Sequence, residues 1–337
     1  MMKLYKILFF NFLILGSLIA ISANSWLGMW MGLEINLFSV IPLFSVYKNI
    51  YSTEATMKYF IVQAFASMIF LYSILMLSLL HKNYEWISFE KIQLMQNCAL
   101  LIKMGSAPFH FWFPEVIEGI SWMNSLILLT WQKIAPMILL LNNNLNKTIL
   151  FLVIVCCSLI STLFIMNQVS MRKLLAFSSI NHIGWMISTL LISETAWLIY
   201  FTVYSLISIN LIYIFKQMNC FSVNQALFFS NQNKLLKISL MMNFLSLGGL
   251  PPLIGFFPKW IAINFLINEK MFLLIFILIL SSLITLFVYL RIIFSSLVIS
   301  HIESKIKIKV KLPLLYWFLN LNFMLMLIFA TILFNYL

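Results

Sequence analysis

Charge is what this chain has least of. Asp, Glu, Lys and Arg make up 9% of its 337 residues, where a water-soluble domain carries about 25%, and the shortfall excludes a soluble globule. Acid is scarcer than base, nine residues against twenty-one, leaving a formal charge of +12. Those bases are scattered between apolar runs and form no stripe interleaved with stacking aromatics, which argues against nucleic acid as a partner. Cysteine is rare as well. Cys98, Cys156, Cys157 and Cys220 lie in or beside apolar segments without metal-ligand spacing, so they read as packing residues and indicate no redox compartment. The sequence contains nothing resembling a nucleotide fingerprint, a metal site or a catalytic triad.

What remains is apolar: 63% of the residues are hydrophobic and the mean hydropathy is +1.03. The unit of such a chain is the segment of ~20 residues that crosses ~30 Å of hydrocarbon. Windows bounded by polar clusters predict spans near 4–22, 26–46, 57–80, 91–122, 123–141, 148–167, 174–192, 196–215, 238–266, 271–296 and 313–334. Met1 to Ser22 has the basic flank of a signal peptide (Lys3, Lys6) but a long apolar run and no small-x-small cleavage site, so it is expected to be the first transmembrane helix.

Two windows, 91–122 and 238–266, are longer than one straight crossing requires, and each carries a Gly/Pro break. Lys103-Met-Gly-Ser-Ala-Pro-Phe-His-Phe-Trp-Phe-Pro-Glu115 and Gly249-Leu-Pro-Pro-Leu-Ile-Gly-Phe-Phe-Pro-Lys259 share one frame, with Gly105/Gly249, Pro108/Pro252 and Pro114/Pro258 at a constant offset of 144. Pro108, Pro114, Pro251, Pro252 and Pro258 are five of the eight prolines, and proline removes a backbone donor and breaks a helix interior. Broken helices account for the extra length. Chance recurrence of Gly and Pro, both common in membrane helices, is the competing reading, and the matched spacing argues against it.

Lys and Arg are retained on the side from which a membrane protein inserts. With eleven spans, one side receives thirteen of them: Lys3, Lys6, Lys48, Lys58, Arg172, Lys173, Lys216, Lys234, Lys237, Lys305, Lys307, Lys309 and Lys311. The other receives four, Lys82, Lys91, Lys147 and Lys270. That places the N-terminus inside and the C-terminus outside. The broken fourth and ninth spans then cross in opposite directions. The expected fold is therefore an all-α polytopic membrane protein of about eleven transmembrane helices: a five-helix repeat over 1–141, an inverted five-helix repeat over 148–296, and an additional helix at 313–334. Such architectures hold their ion or substrate site near the midplane, at discontinuous helices.

Few ionisable residues lie deep in the spans: Glu34, Lys103, Lys133, His182 and Lys259, with Arg291 nearer an end. At 1.5 Å per residue Glu34, Lys103 and Lys133 are roughly 12, 18 and 15 Å from the starts of their segments, the middle of the hydrocarbon. A charge there costs about 2.5–3.5 kcal/mol on insertion scales, so the default reading is a transport pathway, against a structural ion pair or snorkelling. Snorkelling fits Arg291 and Lys91. Desolvation disfavours a charged lysine and a carboxylate within ~4–6 Å favours it, so a change in the carboxylate's influence switches the lysine between holding and releasing a proton. Driving one charge against ~180 mV takes about 4 kcal/mol, within the range such a switch supplies. Glu34 with Lys103 is the expected switching pair, and Lys133 and Lys259 are the next stations. His182, among Ser178, Ser179 and Asn181, could pass a proton between lysines or be a satisfied buried histidine, and His110 reads as a partner of the break more than as a relay. The Lys305–Lys311 run reads as a solvated connection that also meets lipid headgroups.

At Lys103–Glu115 and Gly248–Trp260 the sequence resembles the antiporter-like membrane subunits of respiratory complex I. The likeness extends through Ser52-Thr53-Glu54-Ala55 and Leu128-Leu129-Thr130-Trp131-Gln132-Lys133 over essentially the whole chain. The resemblance implies a proton-translocating subunit of NADH:ubiquinone oxidoreductase, an enzyme as part of that assembly, in the mitochondrial inner membrane. It implies no cofactor bound by this chain, with NADH, FMN, iron–sulfur clusters and ubiquinone elsewhere in the complex. Its partners would be the other membrane subunits and phospholipids. The family's proton path falls on Glu34, Lys103, Lys133 and Lys259, and eleven spans match the animal form, which lacks three helices of its bacterial relatives. A stand-alone cation/proton antiporter of the same fold and a purely structural subunit are the alternatives, and the buried Glu/Lys series argues against the latter. The halves are not chemically equivalent: the repeat partner of Lys259 is Glu115, and that of Lys103 is Leu247.

Overall fold

Hydrocarbon pairs with no backbone donor or acceptor, so an apolar chain satisfies its own backbone by coiling into helices. A computed structural model of the protein describes residues 4–46, 49–80, 89–143, 147–232, 234–251 and 253–298. Among these, regular structure is helical apart from one isolated bridge, Ser170 with Ser222. The expected span 313–334, the Lys305–Lys311 run and Pro252 lie outside the described residues.

The chain divides into two compact units, Met1–Leu150 and Phe151–Leu337. The first contains α1 (Leu4–Ser22), α2 (Trp26–Phe44), α3 (Ile50–Leu80), α4 (Phe89–Met104), α5 (Trp112–Gly119), α6 (Trp122–Leu129) and α7 (Trp131–Asn142). Helix α8 (Lys147–Ile165) carries the chain onward. The second unit then builds α9 (Met171–Leu190), α10 (Glu194–Met218), α11 (Val223–Gln232), α12 (Lys234–Gly248), α13 (Phe256–Asn268) and α14 (Phe272–Val298).

Among the described residues seven segments are long and apolar enough to cross a membrane: α1, α2, Ile50–Leu79, Trp122–Asn142, α8, α10 and Phe272–Leu297. The expected spans missing from that set have a physical reason to be. Windows 91–122 and 238–266 are divided, as their Gly/Pro breaks require, into α4 with α5 and α12 with α13. Helix α9 carries too much polarity, yet every residue from Leu174 to Leu190 is buried. Its serines, Asn181 and His182 face protein, where polar groups in a membrane segment are tolerated.

The helix boundaries differ from the hydropathy windows in three places. Helix α3 starts at Ile50 rather than 57, because Asn49 caps it by accepting from the Tyr51 N–H at 3.2 Å. The polar turn Ser52–Thr56, which lies outside the hydropathy windows, is thus helical. The connection 216–237 contains α11. The fifth span is interrupted at Thr130 (φ −115°, ψ −73°), whose hydroxyl and backbone N–H both donate to the Leu126 carbonyl at 2.7 and 3.0 Å. Threonine bonding back to the preceding turn bends helices in this way.

Helices α1 and α2 are packed backbone to backbone. A Cβ on Gly16 would come within 2.7 Å of the Asn36 nitrogen, and one on Gly32 would strike the Ala20 backbone. Small residues permit such approach where lipid offers no hydrophobic drive between helices. This contact sets the height of α2, and with it Glu34. Gly32→Val forces the pair apart and is expected to cost about 1–3 kcal/mol, the usual penalty of overpacking. Thermal denaturation of the solubilised protein should fall to a lower temperature, and an unchanged midpoint would contradict this packing.

Candidate functional site

Both breaks are closed by the same local device. Helix α4 ends with Gly105 at φ 72°, where Gly105 N–H donates to Ile102 O at 3.0 Å and Ser106 N–H to Leu101 O at 3.2 Å. Helix α12 ends with Gly249 at φ 78°, where Gly249 N–H donates to Ser246 O at 3.0 Å and Leu250 N–H to Leu245 O at 3.2 Å. These are Schellman terminations, and the left-handed residue favours glycine for want of a Cβ. In the first break the Ala107–Pro108 peptide is cis. His110 Nδ1–H donates to the Pro108 carbonyl at 3.2 Å, which places His110 as a partner of the broken backbone.

Each break carries a buried lysine. Lys103, in the last turn of α4, is 7% exposed. Its backbone carbonyl accepts from Gln63 Nε2 of α3 at 3.1 Å, while its ammonium forms no ion pair or hydrogen bond among the described residues. Lys259, in the first turn of α13, is 6% exposed and reaches back across the break. Its ammonium donates to Gly248 O at 2.8 Å and Leu247 O at 3.4 Å. Carbonyls at an open helix C-terminus carry partial negative charge and hold such a cation.

In the first unit Glu34 lies on α2, and its Oε1 is buried without a hydrogen-bond partner. Its carboxylate attracts the Lys103 ammonium through Coulombic interaction without forming a direct ion pair. Lys133 on α7 is 1% exposed, with its ammonium 5.4 Å from the Phe113 ring centroid. Phe113 in turn packs on Gly105, where a Cβ would lie 3.1 Å from the ring, so the first break and Lys133 share one wall. The helices bearing Glu34 and Lys133 are clamped by amides one or two residues away. Asn36 Nδ2 donates to Gln132 Oε1 at 3.1 Å and Gln132 Nε2 to Asn36 Oδ1 at 3.0 Å, and the Tyr59 hydroxyl donates to the same Gln132 oxygen at 3.4 Å.

In the second unit the Lys259 ammonium lies 5.9 Å from the centroid of Trp185, which stacks on Tyr200 at 6.5 Å. The Tyr200 hydroxyl is 2.9 Å from His182 Nδ1. The Tyr204 ring is 5.0 Å from the histidine, the Tyr204 and Tyr289 hydroxyls meet Ser179 and Ser178, and Ser281 donates to Asn181 at 3.4 Å. His182 thus stands in a buried field of hydroxyls, which both donate and accept and can relay a proton.

Tyr200, Tyr204, Tyr289, Gln63, Asn36 and Gln132 were not singled out by sequence reasoning. Tyrosine and amides carry no charge to betray them, and the only signal was polarity inside apolar windows. Glu115, the repeat counterpart of Lys259, turns elsewhere: it pairs with Lys58 at 2.8 Å, which also pairs with Glu54 at 2.9 Å. No group of three or more His, Cys, Asp or Glu that could hold a metal is found among the described residues.

An all-helical membrane protein whose buried lysines sit at two helix breaks is the class this geometry defines. Residues 23–285 match the family described as NADH:quinone oxidoreductase/Mrp antiporter, transmembrane. The chain is 42% identical over 339 residues to NADH-ubiquinone oxidoreductase chain 2 of Anopheles gambiae, covering all of this chain and 95% of that one. It is 44% identical over 301 residues to the same chain of Locusta migratoria, covering 89% and 87%. Its fold is similar to respiratory complex I from Thermus thermophilus with bound aureothin (TM-score 0.84, 23% identity, 96% of this chain and 78% of that one). It is also similar to the Mrp complex from Dietzia sp. (TM-score 0.79, 14% identity, 96% and 75%). The chain belongs to the NADH:quinone oxidoreductase/Mrp antiporter family, and within it to the NADH-ubiquinone oxidoreductase chain 2 group.

The amide clamp offers a direct test. Gln132→Leu leaves the buried Asn36 amide unpaired, at an expected cost of about 1–3 kcal/mol, whereas replacing both partners removes that amide orphan and leaves only the long Tyr59 hydrogen bond lost. Denaturation of Gln132→Leu, Asn36→Leu and the double variant should therefore be strongly non-additive, with the double variant more stable than the sum of the singles predicts. Additive losses would mean the two amides do not form one unit.

Proposed function

We propose that this chain is a proton-translocating core membrane subunit of NADH:ubiquinone oxidoreductase, moving protons on buried side chains while the redox chemistry takes place on other subunits. NADH, FMN, iron–sulfur clusters and ubiquinone belong to those subunits. The observation that carries the reading is a lysine buried at each helix break, Lys103 and Lys259, with no carboxylate closing on either as an ion pair among the described residues. A closed ion pair would be a structural tie, whereas a lysine under an adjustable field is a proton carrier.

In the first unit Glu34 supplies that field. An ionised Glu34 holds the proton on Lys103, and neutralising or displacing the carboxylate releases it toward Lys133. In the second unit Lys259 and His182 are the corresponding carriers, with Tyr200 as the hydroxyl next to the imidazole. The relatives named as chain 2 of the oxidoreductase, at 42% and 44% identity, favour this reading over a stand-alone antiporter, for which the shared family description and a likeness of fold at 14% identity speak. The relatives named as chain 2 support a place in the mitochondrial inner membrane, and the thirteen-to-four distribution of basic residues supports an N-terminus in the matrix and a C-terminus toward the intermembrane space. The 1–141 and 148–296 segments act as inverted repeats, and the chain's neighbours are other membrane subunits and phospholipids.

Lys103→Met keeps the bulk and removes the titratable charge. We expect full assembly on native gels and a fall of at least about tenfold in proton pumping coupled to NADH oxidation, the scale of one lost proton carrier. Undiminished pumping would remove Lys103 from the path. Glu34→Gln combined with Lys103→Met completes a cycle: if the two form one switch, the second substitution adds little to the loss caused by the first. Fully additive losses would separate them and make Lys133 the better partner of Glu34.

A further inference from the structure

One end of the second unit is basic. Arg172 and Lys173 stand where α9 begins, Lys216 in the last turn of α10, Lys237 in the first turn of α12, and Arg291 two turns before the end of α14. Among the described residues no acid accompanies them, since Glu194 and Glu269 lie at the opposite end, where α10 and α14 begin. Where α9, α11 and α14 meet at the basic end lies a cavity of about 470 Å³. Arg291 lines it together with Ser295 one turn further along α14, Asn167 and Gln168 of the α8–α9 connection, and Asn224 of α11. Backbone ties hold that wall in place. Met171 N–H donates to Phe221 O at 2.9 Å and Val223 N–H to Val169 O at 3.0 Å, and Gln225 Oε1 accepts from the Phe221 N–H at 2.8 Å.

Arg291 forms no ion pair or hydrogen bond among the described residues, and its guanidinium presents a planar fork of donors that suits phosphate. The amides of Asn167 and Asn224 add further donors. A cavity of this size would hold on the order of fifteen waters, so a single carboxylate or inorganic ion leaves most of it unfilled, whereas a phosphodiester with its glycerol occupies it. The apolar part of such a molecule has a track to follow. Leu280, Ile284 and Phe287 precede Arg291 at successive spacings of four, three and four residues, one face of a helix, and are 44%, 41% and 56% exposed. From Leu280 to Arg291 is about 16.5 Å, close to the depth of one leaflet of a ~30 Å hydrocarbon core. We propose that this cavity binds an anionic phospholipid, with its phosphate on Arg291 and an acyl chain along the Leu280–Phe287 face of α14. Basic pockets between transmembrane helices hold anionic headgroups in this way. A carboxylate from a neighbouring subunit would answer the charge and leave the track unused. The site does not depend on which residues carry protons.

Photolabelling of the assembled complex tests it. The complex, with its own lipid exchanged for phosphatidylcholine, is placed in phosphatidylcholine nanodiscs holding a trace of either phosphatidylglycerol or phosphatidylcholine with a diazirine in one acyl chain, and labelled peptides are identified by mass spectrometry. The phosphatidylglycerol probe should label 280–287 at least about fivefold more than the phosphatidylcholine probe, the scale of one basic contact with an anionic lipid. Arg291→Gln should abolish that preference. Should Arg291→Gln not assemble, Asn224→Asp, which sets a carboxylate in the cavity wall, is expected to give the same loss. Equal labelling by the two probes would mean ordinary boundary lipid. No labelling of 280–287 by either probe would mean that another subunit covers this face, and a preference that survives whichever variant assembles would place the headgroup elsewhere. Any of these three results overturns the site.

Discussion

A helix that stops inside a membrane exposes carbonyls and N–H groups that lipid cannot pair, and much of the polar structure in this protein answers that constraint. The Schellman terminations at Gly105 and Gly249 take up the first of the freed groups. Side chains take the rest: Ser106 Oγ donates to Leu101 O at 3.0 Å, Gln63 to Lys103 O, and Lys259 to Gly248 O. The break thus manufactures a site. It leaves polar backbone at membrane depth, and a cation or amide must come to it. Lys259 is held because α12 ends where it does, and moving the end of α12 by one turn would remove its acceptors.

Much of this was legible from composition and spacing. The two breaks announced themselves by proline and glycine in a matched frame, because a backbone lesion needs particular residue types whatever surrounds it. Glu34, Lys103, Lys133 and Lys259 were visible because charge in an apolar run has few innocent explanations. The interruption at Thr130 was not, since threonine is ordinary in a membrane helix and bends it only through the rotamer that bonds to Leu126. Asn36, Gln63 and Gln132 stayed hidden for a related reason: a neutral amide in an apolar window costs little to read past, and only packing decides which amides meet. Helix α11 escaped because a short helix of mixed polarity has no hydropathy signature of its own.

The two lysines at the breaks are therefore not interchangeable, although the frames that carry them are alike. In the first unit the amide of Gln63 covers the Lys103 carbonyl, and the ammonium is left to the field of Glu34, a group that can gain or lose charge. In the second unit the backbone itself holds Lys259. Carbonyl dipoles have a fixed strength, and among the described residues of that unit no carboxylate is buried. A fixed field sets a proton affinity and a titratable field changes it. On the proton-carrier reading proposed above, switching by charge resides in the first unit. On the same reading the described residues of the second unit respond by geometry, when the distance from Lys259 to Gly248 changes or when the hydroxyls of Tyr200 and its neighbours reorient about His182.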